Sequence, residues 1–190
     1  VGINGEGEVI ARGENIFQGY WEAEEQTRAA KIGEWLRTGD VGRIDANGEI
    51  YLTGRSKYII VLDSGEKVHP DELEEKMAES PLVQDICVLG RKARDKVQVA
   101  VVVYPSLEAT SLRCGKDGLD VTEENVRRLL SAEIERLSKD LAAYKRVSQI
   151  QITDQPLPKT PLQKVAREQL HDDYSFSIKR WQETAADAAL

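Results

Sequence analysis

The sequence is sparing with the residues that staple small domains, ligate metals or span membranes. Its 190 residues contain two cysteines, Cys87 and Cys114, too few and too far apart for a disulfide framework or a zinc ligand set, and in keeping with a reducing compartment. His69 has no second histidine near it to share a metal ion, so no metal site is expected among these residues. No apolar run reaches the roughly 20 residues needed to cross a bilayer, and no signal-peptide pattern opens the chain. A soluble, cytoplasmic protein is the expectation. Positive charge is also short: 26 Lys and Arg against 33 Asp and Glu give a net charge of −7 and a pI near 5.1. That balance argues against a nucleic-acid or anionic-membrane surface, because phosphate binding along a duplex needs a basic face. The chain also lacks a Gly-x-Ser-x-Gly elbow, a Walker glycine loop and a dinucleotide fingerprint, which removes most support for hydrolase and Rossmann readings.

Enough apolar residues remain for a core, 41% of the total, sufficient for one ordinary domain and part of another. The first residue is Val1, and the opening GINGEGEVIARG runs into a strand as if already under way. It reads as a piece of a longer protein.

Periodicity and turn signals give a strand at 8–12, a short polar helix at 22–31, and strands at 34–37, 41–45 and 49–54. Asn47-Gly48 is the hairpin turn between the last two. A strand at 58–62 turns at Asp63-Ser64-Gly65 into a helix at 70–79, started by Pro70 with acidic residues in its first turn. Strands at 85–90 and 97–104 follow as a hairpin rich in Val and Ile. Residues 105–121 read as a long connection, Thr122 caps a helix to about 137, and a strand at 147–153 precedes the proline-rich QPLPKTP. A last helix at 163–171 leads into a polar tail that is either helical or frayed. The fold class is therefore α+β: an antiparallel strand meander at 1–55, a small α+β unit of order βαββαβα at 56–172, and a tail at 173–190. The first segment has too few strands to close a core, so its apolar face calls for further sequence or self-association.

Several polar residues sit where ligand chemistry is made. Asp40, in Thr38-Gly39-Asp40 between two strands, can accept from two neighbouring donors such as the hydroxyls of a ribose; the tripeptide alone serves equally as a self-satisfied turn. Arg55 offers a fixed guanidinium fork at a strand end, or is a plain edge arginine. Lys57 lies at the boundary between the two units, where few residues would absorb a rotation. Gly65 permits a positive φ and close backbone approach beside Glu66 and Lys67. Lys164 is a lone cation in a Pro-interrupted loop just before the last helix. By itself it would be surface charge.

The ordered set TGD (38–40), GRSKYIIVLDSGEKVHPDELE (54–74), YKR (144–146) and PLPKTPLQKVAR (156–167) resembles the C-terminal third of the adenylate-forming superfamily, which includes acyl-CoA synthetases, luciferases and the adenylation domains of peptide synthetases. The resemblance runs over about residues 7–170. Each motif is modest, whereas their order and spacing are specific. It implies that 1–55 are an antiparallel β-barrel fragment, the last piece of a large N-terminal domain, and that 56–172 are a mobile C-terminal lid domain that rotates between two half-reactions. Asp40 and Arg55 would bind the nucleotide, Lys57 would be the hinge, and Gly65, Glu66 and Lys67 would line the approach of the thiol. Lys164 would be the catalytic lysine of adenylation, bridging the substrate carboxylate and the α-phosphate. ATP, Mg2+ and CoA would be used by the whole enzyme, with the metal's ligands supplied mainly by a large N-terminal domain whose phosphate loop is not in these residues. The superfamily places Gly directly before this lysine, where Gln163 stands here; the Thr-Pro-x-x-Lys pattern resembles the long-chain acyl-CoA synthetase branch and implies a fatty acid substrate. A domain that loads a carrier protein, and a non-catalytic module, are the alternatives.

Overall fold

The computed structural model describes residues 1–170 and 174–187. The chain divides into two units, Val1–Ile59 and Ile60–Leu190, each described by itself.

In the first unit, strands β1 (Gly2–Ile3), β2 (Glu8–Ala11), β3 (Lys31–Ile32), β4 (Trp35–Ile44) and β5 (Ile50–Arg55) form an antiparallel sheet in the order β1-β2-β4-β3, with β5 also on β4. Helix α1 (Glu24–Ala30) precedes β3, so the polar helix expected at 22–31 gives up Lys31 to a strand. The β4–β5 turn forms at Asn47-Gly48 as expected: Gly48 takes φ 86°, and Asp45 Oδ1 accepts the amides of Asn47 and Glu49 at 2.9 Å each. The strands expected at 34–37 and 41–45 are in fact one. Between the pairs Ile10↔Arg37 and Glu8↔Val41, β4 carries extra residues, and it accommodates them as a bulge in which Gly39 adopts φ 75°. Thr38 replaces the missing ladder bonds, donating from its hydroxyl to Val9 O at 2.7 Å and accepting the Asp40 amide at 3.1 Å. Val9 and Val41 are this unit's buried apolar side chains among the described residues, while Ile50, Tyr51 and Leu52 on β5 are exposed. The sheet is a half-barrel with an open apolar face.

The second unit begins with the hairpin β6 (Ile60–Val61) and β7 (Lys67–Val68), then α2 (Pro70–Met77), β8 (Val83–Ala93), β9 (Lys96–Pro105), α3 (Leu107–Lys116), α4 (Glu123–Ser138), β10 (Gln149–Ile152) and α5 (Ile178–Asp187). Its three-stranded sheet runs β10-β9-β8, with β8 antiparallel and β10 parallel to β9. A parallel neighbour requires a long crossover, here α3 and α4. Because β9 is covered on both faces, its sequence is a near-continuous Val run instead of an alternation. Val99, Val101 and Val103 face Leu73 and Met77 of α2, Val126, Leu130 and Ile134 of α4, and Trp181 of α5. On the other face Val102 meets Cys87 and Leu157, with Val165, Leu170 and Tyr174 packed against them.

The order differs from βαββαβα in four places. The strand expected at 58–62 shrinks to β6, preceded by a 3-10 turn at Ser56–Tyr58. Strand β7 is additional. The connection at 105–121 contains α3, capped by Ser106 Oγ on the Ala109 amide at 3.3 Å; with only Thr110 and Cys114 buried, the helix shows little amphipathic signal. The helix expected at 163–171 is absent over its described residues: Lys159 and Val165 form an isolated antiparallel bridge, and only Arg167–Gln169 makes a 3-10 turn. Gln163 at φ 62° and the pull of Val165 onto the second face favour a turn there. Residues 171–173, which include the end of that expected helix and the first residue of the expected tail, and 188–190 lie outside the described residues. Of the two readings of the tail, helical or frayed, the helix holds over Ile178–Asp187, where α5 buries Trp181 completely and its indole N–H donates to Pro105 O at 3.0 Å.

Candidate functional site

The bulge in β4 exists because a buried carboxylate holds it. Glu8, 3% exposed, accepts the Gly39 amide at 3.0 Å through Oε1, and Arg37 Nε at 2.8 Å through Oε2. Asp40 and Arg55 face each other as a cross-strand pair, with Arg55 Nε 2.8 Å from Asp40 Oδ1. A bulge re-aims the side chain that follows it, here that of Asp40. The carboxylate therefore has one oxygen on a guanidinium and capacity left to accept a ligand's hydroxyls. Beside the bulge a cleft of about 590 Å³ is lined by Tyr20, Arg37, Thr38, Gly39 and Ser56. Lys57 lies in the 3-10 turn after β5, with its ammonium 4.9 Å from the centre of the Tyr58 ring.

In the second unit, Gly65 sits at the tip of the β6–β7 hairpin with φ 92°, a conformation that a side chain would strain. Its amide donates to Leu62 O at 2.9 Å, the Leu62 amide donates to Glu66 O at 3.0 Å, and Ser64 donates to the Glu66 carboxylate. Asp63 accepts the Val97 amide at 2.8 Å, joining this tip to the start of β9.

Lys164 is exposed at a second tip. Thr160 N donates to Lys164 O at 2.7 Å, Gln163 N to Thr160 O at 2.9 Å, and Lys164 N to Thr160 Oγ1 at 3.3 Å. The loop is thus a closed turn and not a free strap. Sequence reading missed its anchors. Lys159 Nζ lies 2.8 Å from Asp85 Oδ1. Arg167 donates to Val88 O and to Glu74 Oε2, both at 2.6 Å, and to Cys87 Sγ at 3.2 Å. Burial pushes the Glu74 carboxyl up despite the opposing pull of Arg167, and burial pushes the Cys87 thiol up to about 12. A cation three residues after Lys164 was the available signal, but its acidic partner is 93 positions away.

The two tips lie on opposite faces of the β10-β9-β8 sheet. Ile60 of β6 packs in the cluster with Val88, Val101 and α4, and is the side chain that a Cβ on Gly90 would meet first, at 2.9 Å. Leu157 and Val165, which flank the Lys164 turn, pack on Cys87 and Val102. Neighbouring positions of a strand point to opposite faces, so the sheet itself separates Gly65 from Lys164.

The chain belongs to the family of AMP-binding enzyme C-terminal domains, which matches residues 57–185. It is similar to the indoleacetate–CoA ligase of Aromatoleum aromaticum, 32% identical over 162 residues that cover 85% of this chain and 28% of that protein. It is also similar to the long-chain-fatty-acid–CoA ligase FadD13 of Mycobacterium tuberculosis, 28% identical over 177 residues, 93% of this chain and 31% of that one. In fold it matches the o-succinylbenzoate CoA synthetase MenE of Bacillus subtilis, solved with an acyl-adenylate intermediate, at a TM-score of 0.70 and 24% identity, over 90% of this chain and 31% of the other. The chain spans about three tenths of the length of the curated relatives it matches.

Proposed function

We propose that the protein carrying this chain is an ATP-dependent acid–thiol ligase acting on a fatty acid, and that the second unit is its mobile lid. The observation that carries the reading is the placement of Gly65 and Lys164 on opposite faces of one sheet. A rigid unit built this way can bring one tip or the other to a fixed reaction centre, and two half-reactions need two such states.

In the first, a carboxylate oxygen attacks the α-phosphorus of ATP, the bond to the β-phosphate's bridging oxygen breaks, and pyrophosphate leaves. Two anions must meet, and the Lys164 ammonium offsets their repulsion while stabilising charge on the transferring group. Asp40 accepts from the ribose hydroxyls and Arg55 steadies it, while Lys57 takes up the rotation as the hinge. In the second state the CoA sulfur attacks the acyl carbon, and AMP departs with the bonding pair. The Gly65 turn, with Glu66 and Lys67 beside it, lets the thiol's arm pass close to the backbone. Mg2+ would accompany the ATP phosphates; among the described residues no three acidic, histidine or cysteine side chains converge. The fatty acid assignment is supported by the Thr-Pro-x-x-Lys pattern at 160–164.

The test uses the full-length protein and its Lys164→Ala variant with a panel of carboxylates. Pyrophosphate release should fall roughly 100-fold or more in the variant, whereas thioester formation from supplied acyl-adenylate and CoA should stay near the parent rate. Equal adenylation rates would remove Lys164 from the mechanism, and a preference for aryl acids would remove the fatty acid.

A further inference from the structure

We propose that Glu74 and Arg167, seconded by Asp85 and Lys159, are positioning residues that fix where Lys164 stands during adenylation. This rests on the role given to Lys164 above. Strand β8 is an edge of its sheet, and an edge residue's outward N–H and C=O need partners when covered. At Val88 two side chains take the place of another strand: Glu74 Oε1 accepts the Val88 amide at 2.6 Å, and Arg167 Nη1 donates to the Val88 carbonyl at 2.6 Å. The two side chains then close on each other through Arg167 Nη2 and Glu74 Oε2 at 2.6 Å. Arg167 is only 13% exposed, so the exit of the lysine loop is registered to one residue of the strand edge.

The entry is held in the same manner. Asp85, 6% exposed in its side chain, takes Lys159 on Oδ1 at 2.8 Å and the Leu157 amide on Oδ2 at 3.3 Å. Between these anchors the backbone turn closes on itself through Thr160 and Lys164. A flexible lysine on a loose loop would search a large volume, whereas fixing its Cα confines the ammonium to the reach of one side chain. Misplacement by about 1 Å can cost as much as 100-fold in rate, so the anchors bear directly on the first half-reaction. The loop they hold packs on the face opposite Gly65, with Glu74 reaching it from α2 on the Gly65 side, so their loss should leave the second half-reaction near the parent rate.

The experiment uses full-length Glu74→Gln, Arg167→Lys and Asp85→Asn, with Lys164→Ala alongside. Adenylation should fall about 10-fold in the first two and less in the third, with thioester formation from supplied acyl-adenylate within about twofold of the parent. Trypsin should cut after Lys164 several-fold faster in the Glu74→Gln form of this chain. Since a single change strands a buried charge and can unfold the unit, the neutral pair Glu74→Gln/Arg167→Gln is included; it should fold and still lose adenylation. Equal losses in both half-reactions would make the anchors merely structural and overturn the proposal. So would folded variants that adenylate within twofold of the parent while Lys164→Ala fails. Parent-like adenylation by Lys164→Ala would instead overturn the underlying role.

Discussion

Glu8 Oε1 accepts the backbone amide of Gly39 at 3.0 Å, a buried carboxylate gripping the residue before Asp40 from 31 positions away. Replacing Glu8 by Ala leaves that amide and Arg37 without their partner and should destabilise the first unit by about 1.5–3 kcal/mol. Thermal unfolding of this chain measures the loss. In the full-length protein the same change should raise KM for ATP more than it lowers kcat, because it disturbs Asp40 and not Lys164.

The thiol of Cys87, raised to about 12 chiefly by burial, should resist alkylation at pH 8 until denaturant is added. Cys114, also raised by burial, should behave alike. The folded state keeps the thiol protonated where the unfolded chain would ionise it, so the Cys87 contribution to stability is complete below pH 9. It should be lost as pH rises from 9 toward 12, at up to about 1.4 kcal/mol per pH unit. Denaturant midpoints measured across that range check the sign.

Gln163 holds φ 62° in the turn before Lys164, the left-handed region where a Cβ is unfavourable and a β-branched one more so. Gln163→Gly should therefore preserve the turn and leave stability within about 1 kcal/mol, relief of strain being offset by a freer unfolded chain. Gln163→Val should cost about 1–3 kcal/mol or deform the turn. Adenylation rates of the two full-length variants should separate in the same order.

Trp181 is fully buried, bonded to Pro105 O at 3.0 Å and 5.5 Å from the Phe176 ring centre. Trp181→Ala should cost about 3–5 kcal/mol, enough to unfold a marginal domain. Trp181→Phe, which keeps most of the volume, should cost less. Urea titration followed by circular dichroism distinguishes the two.

What the sequence made legible was local. The Val-rich β8 and β9 announce themselves by composition, Pro70 and Thr122 start α2 and α4, and Gly48 turns a hairpin; each signal lies within the element it specifies. Three of the misreadings are places where a distant partner decides. Gly39 looks like a strand break until Glu8 and Val9 hold it as a bulge. Residues 107–116 look like a loop because a helix with two buried positions draws its order from the core it touches. Lys164 looks like a helix start because nothing nearby reveals that Arg167 leaves for Val88 and Glu74. The candidate residues Asp40, Arg55, Lys57, Gly65 and Lys164 were nameable from motif order. Their supports, Glu8, Glu74, Asp85, Lys159 and Arg167, were not, since long-range ion pairing leaves no spacing to read.

The sheet that divides the two tips is one strand thick, so odd and even positions of β9 address different neighbourhoods. Val101 and Val103 belong to the side of Ile60 and the Gly65 hairpin, and Val102 to the side of Leu157 and the Lys164 turn. Under the proposed function, a methyl group removed at one number or the next would bear on a different half-reaction, and residue parity would be a means of adjusting one half of the cycle more than the other.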